Sequence, residues 1–421
     1  MLAIVTANGG PLSALSVKPF RWWFFGQITS ASGLMTQLVA TSWLVLQWRN
    51  SGLDLALVSV ASMTPMLVLS LWAGSLVDHL DRRKLLIFTQ GSMALISLAL
   101  FVLIETGAAT YWLIILISAL TGVINAADMP ARQVFVLDLV GEERLAGAVS
   151  LYEVVLNASR VLGPALGGVL LATSGPAACV LVNAVTFLGP LAVLLYFHTI
   201  SSVTRRDPGQ GRPKVREGVR YAWADPTIRA CLLLAAACCA LFNPTVMLPL
   251  LAHRVFHMGG GGYGLLLALF GVGALPGALL AARGASPPTG RKVRVLAAAT
   301  GVCMIATAFA PDKPVLFLGM TAVGASSIWM IAVANTVVQL RTAPELRGRV
   351  MGAWSMALPG MVPITSVICG TLADACGARV AYGATGAVIA GVALTWWRSF
   401  AREPRPREVP AGDAGSATVI A

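Results

Sequence analysis

The stretch LAGAVSLYEVVLNASRVLGPALGGVLLAT, residues 145–173, decides the fold of this chain. It is long and apolar enough to cross a bilayer as one helix, which needs roughly 20 residues. Yet at about 100° per residue Glu153, Asn157 and Arg160 fall on one stripe, which continues through Pro164. Because an ionisable side chain at membrane depth costs on the order of 2.5–3.5 kcal/mol, we expect this stripe to face a partner or a water-filled cavity.

The same stretch contains a glycine-rich run, GPALGG, residues 163–168. Gly163, Pro164, Gly167 and Gly168 leave little side-chain bulk, and such a surface lets a second helix approach closely. The run therefore predicts a packing motif at which this span meets a helix of the other half of the molecule.

The composition indicates a polytopic membrane protein. Of the 421 residues, 57% are hydrophobic and only 11% are charged, and the mean hydropathy is +0.78. Soluble domains do not reach these values. The seven cysteines form no CxxC pair and lie in or beside apolar runs, which favours buried thiols. The N-terminus lacks a basic segment before an apolar one, so we predict no cleaved signal peptide.

Twelve apolar spans are readable, which predicts an all-α membrane protein. Their approximate bounds are 21–47, 54–77, 84–105, 111–135, 145–172, 176–198, 227–252, 262–283, 292–310, 314–340, 347–373 and 378–398.

The placement of basic residues predicts the orientation. When the connections are assigned to alternate sides, 25 of the 30 Lys and Arg residues fall on one side, which we call the basic face. Arg49, Arg254, Lys313 and Arg379 fall on the other, which we call the opposite face, and Arg160 is left within a span. By the positive-inside rule both termini are cytoplasmic. The net charge of +12 is thus a topology signal, and no nucleic-acid partner is predicted.

The widest gap between spans divides the chain. We predict an N-terminal six-helix bundle in residues 1–198, a cytoplasmic linker in 199–226, a C-terminal six-helix bundle in 227–398 and a disordered cytoplasmic tail in 399–421. The linker segment KVREGVRYAWADP, residues 214–226, has apolar and basic residues on opposite sides of a helix. It is either an interfacial helix on the anionic leaflet or a solvated linker helix.

The two sets of six spans look like weak copies of each other. GSLVDHLDRRKLL, residues 74–86, joins spans two and three, and ARGASPPTGRKVR, residues 282–294, occupies the same place in the second set. Internal duplication is typical of transporters, whose binding site lies between the repeats.

Several motifs resemble those of the major facilitator superfamily. GSLVDHLDRRK, residues 74–84, looks like the cytoplasmic loop signature of that superfamily, although Asp81 stands where glycine is common. The GPALGG run is similar to the signature of its drug and proton antiporters. DMPARQ at 128–133, followed by NASRVLGP at 157–164, resembles the bacterial subgroup of drug-efflux proteins and enterobactin exporters.

The resemblance implies two pseudo-symmetric six-helix bundles that rock about a central cavity, which spans one, four, seven and ten line. It also implies a latch at the basic face, formed by Gly74, Asp78, Arg82 and Arg83, which holds the outward-open state.

The proton-coupling candidates are Glu153, Asp128 and Arg160. A carboxyl group whose pKa is raised by desolvation can lose and regain a proton as access alternates, and Arg160 would be its countercharge. The alternative is static ion pairing, of Asp128 with Arg132 four residues along its helix and of Glu153 with Arg160.

The substrate-cavity candidates are polar or aromatic residues within spans: Asn125, Arg132, Asn157, Gln27, Gln37, Asn243, Trp329, Asn335 and Gln339. Hydrogen bonds between helices or core filling would explain each of them equally well. His253 and His257 lack a third ligand nearby, and no Walker lysine motif occurs, so we predict neither a metal nor a cofactor.

These features predict a monomeric, multi-pass transporter of the cell membrane that exports amphipathic small molecules, such as drugs, antibiotics or siderophores, in exchange for protons. A proton-coupled uptake symporter is one alternative. A membrane scaffold or enzyme is another, although no cluster of His, Cys or carboxylates supports it.

Overall fold

The computed structural model describes residues 11–197, 215–239, 244–283, 288–343, 346–358 and 360–396. The predicted tail at 399–421 and most of the predicted linker lie outside these ranges.

The described chain consists of helices, which we number in chain order. The N-terminal half contains α1 (Lys18–Arg49), α2 (Gly52–His79), α3 (Arg82–Glu105), α4 (Tyr111–Val140), α5 (Leu145–Thr173), α6 (Gly175–Thr186) and α7 (Leu188–Tyr196). The linker helix is α8 (Val215–Ala224). The C-terminal half contains α9 (Pro226–Cys238), α10 (Pro244–Leu250), α11 (Gly260–Ala282), α12 (Gly290–Ala308), α13 (Lys313–Arg341), α14 (Arg347–Ala357), α15 (Val362–Cys376) and α16 (Ala378–Thr395). A π-helical turn, Leu251–Val255, follows α10.

Helix starts are fixed by side-chain caps. Asp81, the departure from the loop signature, accepts hydrogen bonds from the backbone N–H groups of Arg83 and Lys84 at 3.0 and 3.2 Å. Asp312 caps α13 in the same way. An N-cap carboxylate satisfies backbone donors that have no partner within the helix, so Asp81 fixes the start of α3.

Eight of the described helical segments are long and apolar enough to cross a membrane, and the predicted all-α membrane fold is confirmed. Three spans that the sequence predicted as continuous are interrupted. Span six divides into α6 and α7 at Phe187, span seven into α9 and α10, and span eleven into α14 and α15. Proline favours the breaks, because it lacks an N–H and fits best in the first turn of a helix. It does not break every helix here, since Pro65, Pro130, Pro164 and Pro276 lie inside continuous ones. Pro190, Pro244 and Pro363 lie within the first turns that follow them.

Helices pack against each other within each half and also across the two halves. In the N-terminal half α1 packs against α5 and α6, and α2 packs against α4; in the C-terminal half α11 packs against α13, and α12 against α16. The halves meet mainly where α5 contacts α11 and α2 contacts α15.

The linker helix α8 is present as predicted and docks on protein. It packs against α14, its Ala222 is fully buried, and the Tyr221 hydroxyl donates to the backbone oxygen of Arg341 at 3.5 Å. This helix therefore belongs to the packed surface of the C-terminal half.

Candidate functional site

A glycine-lined seam between α5 and α11 joins the halves. A Cβ added to Gly168 would lie 3.0 Å from the Cα of Gly264, so the two backbones are in direct contact there. Towards the basic face the contact reaches Gly271, where an added Cβ would lie 2.8 Å from the carbonyl oxygen of Arg160. The seam therefore covers the part of α5 between Arg160 and the opposite face.

The glycine run packs in two directions. A Cβ on Gly167 would lie 3.3 Å from the Cα of Thr36 in α1, and the Thr36 hydroxyl donates to the Gly163 carbonyl oxygen at 2.9 Å. The Pro164 carbonyl oxygen lies with Gly168 on the side that meets α11. One motif thus attaches α5 to its own bundle and to the other half.

Asp374 at the end of α15 joins the two halves at the opposite face. Its carboxylate accepts hydrogen bonds from the backbone N–H groups of Gly52 and Leu53, at 2.8 and 3.0 Å, and from the Ser51 hydroxyl at 3.0 Å. Its Oδ1 also lies 3.0 Å from Arg254 Nη1. This carboxylate caps the first turn of α2, where free N–H groups and the helix dipole favour an anion.

Asp128 is fully buried in the N-terminal half. Its carboxylate pairs with Arg132 and accepts a hydrogen bond from the Thr89 hydroxyl at 2.7 Å. Arg132 in turn donates to Gln27 Oε1 at 2.7 Å. These contacts join α1, α3 and α4 around a paired charge.

Glu153 has different surroundings, although it too lies within a span. Its side chain is exposed, and it lies on the basic-face side of the seam. Arg160 is also exposed and donates to Asn157 Oδ1 at 3.3 Å, while the Asn157 amide donates to the Glu153 carbonyl oxygen at 2.9 Å. Asn157 thus connects Arg160 to the backbone of Glu153, and the two charged side chains form no direct ion pair.

The basic residues of the loop signature bind within the N-terminal half. Arg82 lies 2.9 Å from Asp138 of α4, and both side chains are buried. Arg83 Nε donates to the Leu194 carbonyl oxygen at the end of α7, at 2.6 Å. Gly74 and Asp78 lie on α2, but their side-chain surroundings lie outside what the structure describes.

The remaining cavity candidates lie in both halves. Gln37 Oε1 accepts from Asn183 Nδ2 at 2.7 Å, and Asn125 is half-buried on α4. On α13, Gln339 donates to Asn335 at 2.6 Å, and half-buried Trp329 lies under the ammonium group of Lys292. Asn243 falls outside the described residues.

Sequence reasoning missed Asp374, Asp138, Thr89 and Asn183. Asp374 stands at the end of a span, where a charge is expected beside a loop, and its contacts are 120 and more than 300 residues away in the chain. Asn183 is an amide inside span six, and that signal was visible.

Comparison with known proteins decides the family. The family model described as a transmembrane secretion effector matches residues 9–407. This chain is a major facilitator superfamily transporter. The predicted superfamily is confirmed, and the protein is a transporter and not an enzyme.

Two named relatives of this transporter are an efflux pump and an exporter. The multidrug efflux pump Tap of Mycolicibacterium fortuitum is 28% identical over 375 residues, which cover 85% of this chain and 90% of that protein. The enterobactin exporter EntS of Citrobacter koseri is 27% identical over 356 residues, covering 82% of this chain and 83% of that protein.

A solved structure supports the fold of the transporter. The crystal structure of a bacterial homolog of the human lysosomal transporter Spinster, in an inward-facing and unoccupied conformation, superposes with a TM-score of 0.69. The match has 15% identity and covers 91% of this chain and 98% of that chain.

Proposed function

We propose that this transporter exports amphipathic small molecules from the bacterial cytoplasm by alternating access, in exchange for protons. The observation that carries the proposal is the exposed Glu153, which lies within a span, seven residues or about 10 Å towards the basic face from Arg160, where the seam between the halves ends. The efflux names of the relatives favour export over uptake.

The described contacts between the halves support an inward-open state. The Asp374 cluster and the part of the seam around Gly168 lie towards the opposite face, whereas Glu153 lies nearer the basic face. With the basic face cytoplasmic, as the charge bias favours, the cavity opens to the cytoplasm. Alternating access then requires the bundles at 1–198 and 227–398 to separate at the opposite face and close at the basic face.

Glu153 is the proton site in this proposal. Its exposed side chain can exchange a proton with water where it faces the proposed cavity, whereas Asp128 is sealed by Arg132 and Thr89 and serves the packing of its bundle. Arg160 lies seven residues deeper, about 10 Å along the helix, at the inner end of the seam. A cation there favours the ionised carboxylate once the substrate has left.

The substrate class follows from the small number of charges near the seam. Glu153 and Arg160 are the charged groups of the described part of α5, and its other side chains are uncharged and mostly apolar. Such a surface suits a molecule with a large apolar area and few polar groups. We propose that one chain forms the transport unit, with both termini in the cytoplasm.

Export from loaded proteoliposomes tests this proposal. The full chain should extrude amphipathic dyes such as ethidium when a proton gradient is imposed, and a protonophore should abolish extrusion. Extrusion of the dye that persists after the gradient has collapsed would rule out proton coupling. Gradient-driven accumulation of the dye inside the vesicles would favour the uptake alternative.

A further inference from the structure

A small polar recess lies inside the N-terminal half, beside the predicted cavity helices α1 and α4. Its mouth is formed by the half-buried Leu34, Gln37 and Thr121. Its floor is formed by the buried Ser97, Asn183 and Phe187, from α3, α6 and the break in span six. The exposed fraction of the side chains thus decreases from mouth to floor. The recess therefore opens between α1 and α4.

Asn183 leaves one hydrogen-bond acceptor unused at the floor. Its Nδ2 donates to Gln37 Oε1 at 2.7 Å and to Ser97 Oγ at 3.0 Å. Its Oδ1 has no hydrogen-bond partner among the described residues, although the side chain is only 1% exposed. Buried polar atoms are nearly always paired, so an unpaired carbonyl oxygen indicates that a donor from outside the chain belongs there.

Close packing of α1 on α6 brings the backbone of Gly33 against Asn183. A Cβ on Gly33 would lie 3.0 Å from Asn183 Oδ1 and would overlap the Thr186 hydroxyl, so only glycine leaves the carboxamide undisturbed at this position. Span six is interrupted at Phe187, four residues beyond Asn183.

The size and chemistry of the recess select the group that enters. Its cavity volume is about 10 Å³, which holds a group about the size of one water molecule. Its polar lining consists of amides and hydroxyls without a carboxylate. A neutral acceptor in a buried site favours an uncharged donor over an ammonium ion, because no carboxylate there would offset the desolvation of the cation.

We propose that this recess is a subsite of the transport cavity that accepts one uncharged donor group of the transported molecule, a hydroxyl or an amide N–H, on Asn183 Oδ1. The proposal rests on the proposed transport function, because it names the polar group that an exported amphiphile carries. The apolar part of the molecule then lies at the mouth, against Leu34.

Chemical labelling tests the subsite without any transport step. The reporter is Thr121→Cys at the mouth, in purified full-length protein in lipid nanodiscs, modified by methyl methanethiosulfonate and read by mass spectrometry. Phenol and its methyl ether, anisole, are the probes, since they differ in one hydroxyl donor. Phenol should protect the introduced thiol at roughly tenfold lower concentration than anisole, the difference that one hydrogen bond supplies.

Two comparisons decide the outcome. Adding Asn183→Leu, or Asn183→Ala if the larger residue prevents folding, should remove the preference for phenol. A second reporter, Thr336→Cys on α13, should show no preference between the probes. Equal protection of the Thr121→Cys reporter by phenol and anisole, or a preference that survives both Asn183 variants, would overturn the subsite. Because labelling needs no gradient, a failure of proton-driven export in the vesicle assay remains a separate result.

Discussion

Arg254 Nη1 lies 3.0 Å from Asp374 Oδ1, and this ion pair joins the C-terminal half to itself at the point where Asp374 also caps α2 of the N-terminal half. Arg254 additionally donates to Asn50 Oδ1 at 3.1 Å. The pair therefore fixes α15, the end of span seven and the start of α2 at one place. Opening the opposite face must break these contacts.

Removing the charge of Asp374 should favour opening at that face. Asp374→Asn loses the ion pair and weakens the cap on α2. The side chains are partly exposed, so we expect a shift of about 1 kcal/mol, or roughly fivefold in the open population. The measurement is the rate at which an impermeant maleimide modifies Ser59→Cys from outside the cell, because Ser59 of α2 lies 3.3 Å from Thr245 of α10 across the two halves. Arg49→Gln is the matched control, because Arg49 pairs with Asp54 within one half. Equal labelling rates in wild type, Asp374→Asn and Arg49→Gln would show that Asp374 does not hold this face closed.

A larger side chain at the seam should prevent α5 and α11 from packing against each other. In Gly264→Leu the new side chain would overlap the backbone of Gly168, which cannot move aside without displacing α5. Export should fall to the background of protein-free vesicles while the protein still inserts and folds. The control is Gly91→Ala, where an added Cβ meets nothing within 4 Å. Wild-type export by Gly264→Leu would show that the α5–α11 contact is not needed during transport.

The two carboxylates should differ in their effect on stability. Asp128→Asn leaves Arg132 buried without its countercharge, which typically costs about 3–5 kcal/mol, so the thermal unfolding temperature of the purified protein should fall clearly. Glu153→Gln changes an exposed side chain, so unfolding should stay within about 0.5 kcal/mol of wild type. If both variants unfold alike, the structural role assigned to Asp128 is wrong.

The sequence was sufficient to predict where most helices begin and end, but not which residues they contact. The predicted bounds of spans one to five lie within about five residues of α1 to α5, because long apolar runs between charged ends determine helix position in a membrane. The breaks in spans six, seven and eleven were missed, since hydropathy stays high across a proline that ends a helix.

Helical periodicity placed Glu153, Asn157 and Arg160 on one stripe, and hydrogen bonds connect these residues, yet periodicity could not say what the stripe faces. Asp128 and Glu153 looked equivalent, but α4 turns Asp128 towards Thr89 of α3, while α5 leaves Glu153 exposed. In the same way nothing local to Asp374 indicates that it caps α2. Contacts between distant segments depend on how whole helices pack, and a single sequence does not contain that information directly.

The central claim is that Glu153 carries the proton that drives export, and one vesicle measurement tests it. Proteoliposomes containing wild type, Glu153→Gln or the exposed-acid control Glu143→Gln are loaded with ethidium, and extrusion is followed with and without an imposed pH gradient. We predict that the gradient accelerates extrusion by wild type and Glu143→Gln but not by Glu153→Gln, which should retain ethidium binding. Gradient-driven extrusion by Glu153→Gln at the wild-type rate would contradict the mechanism.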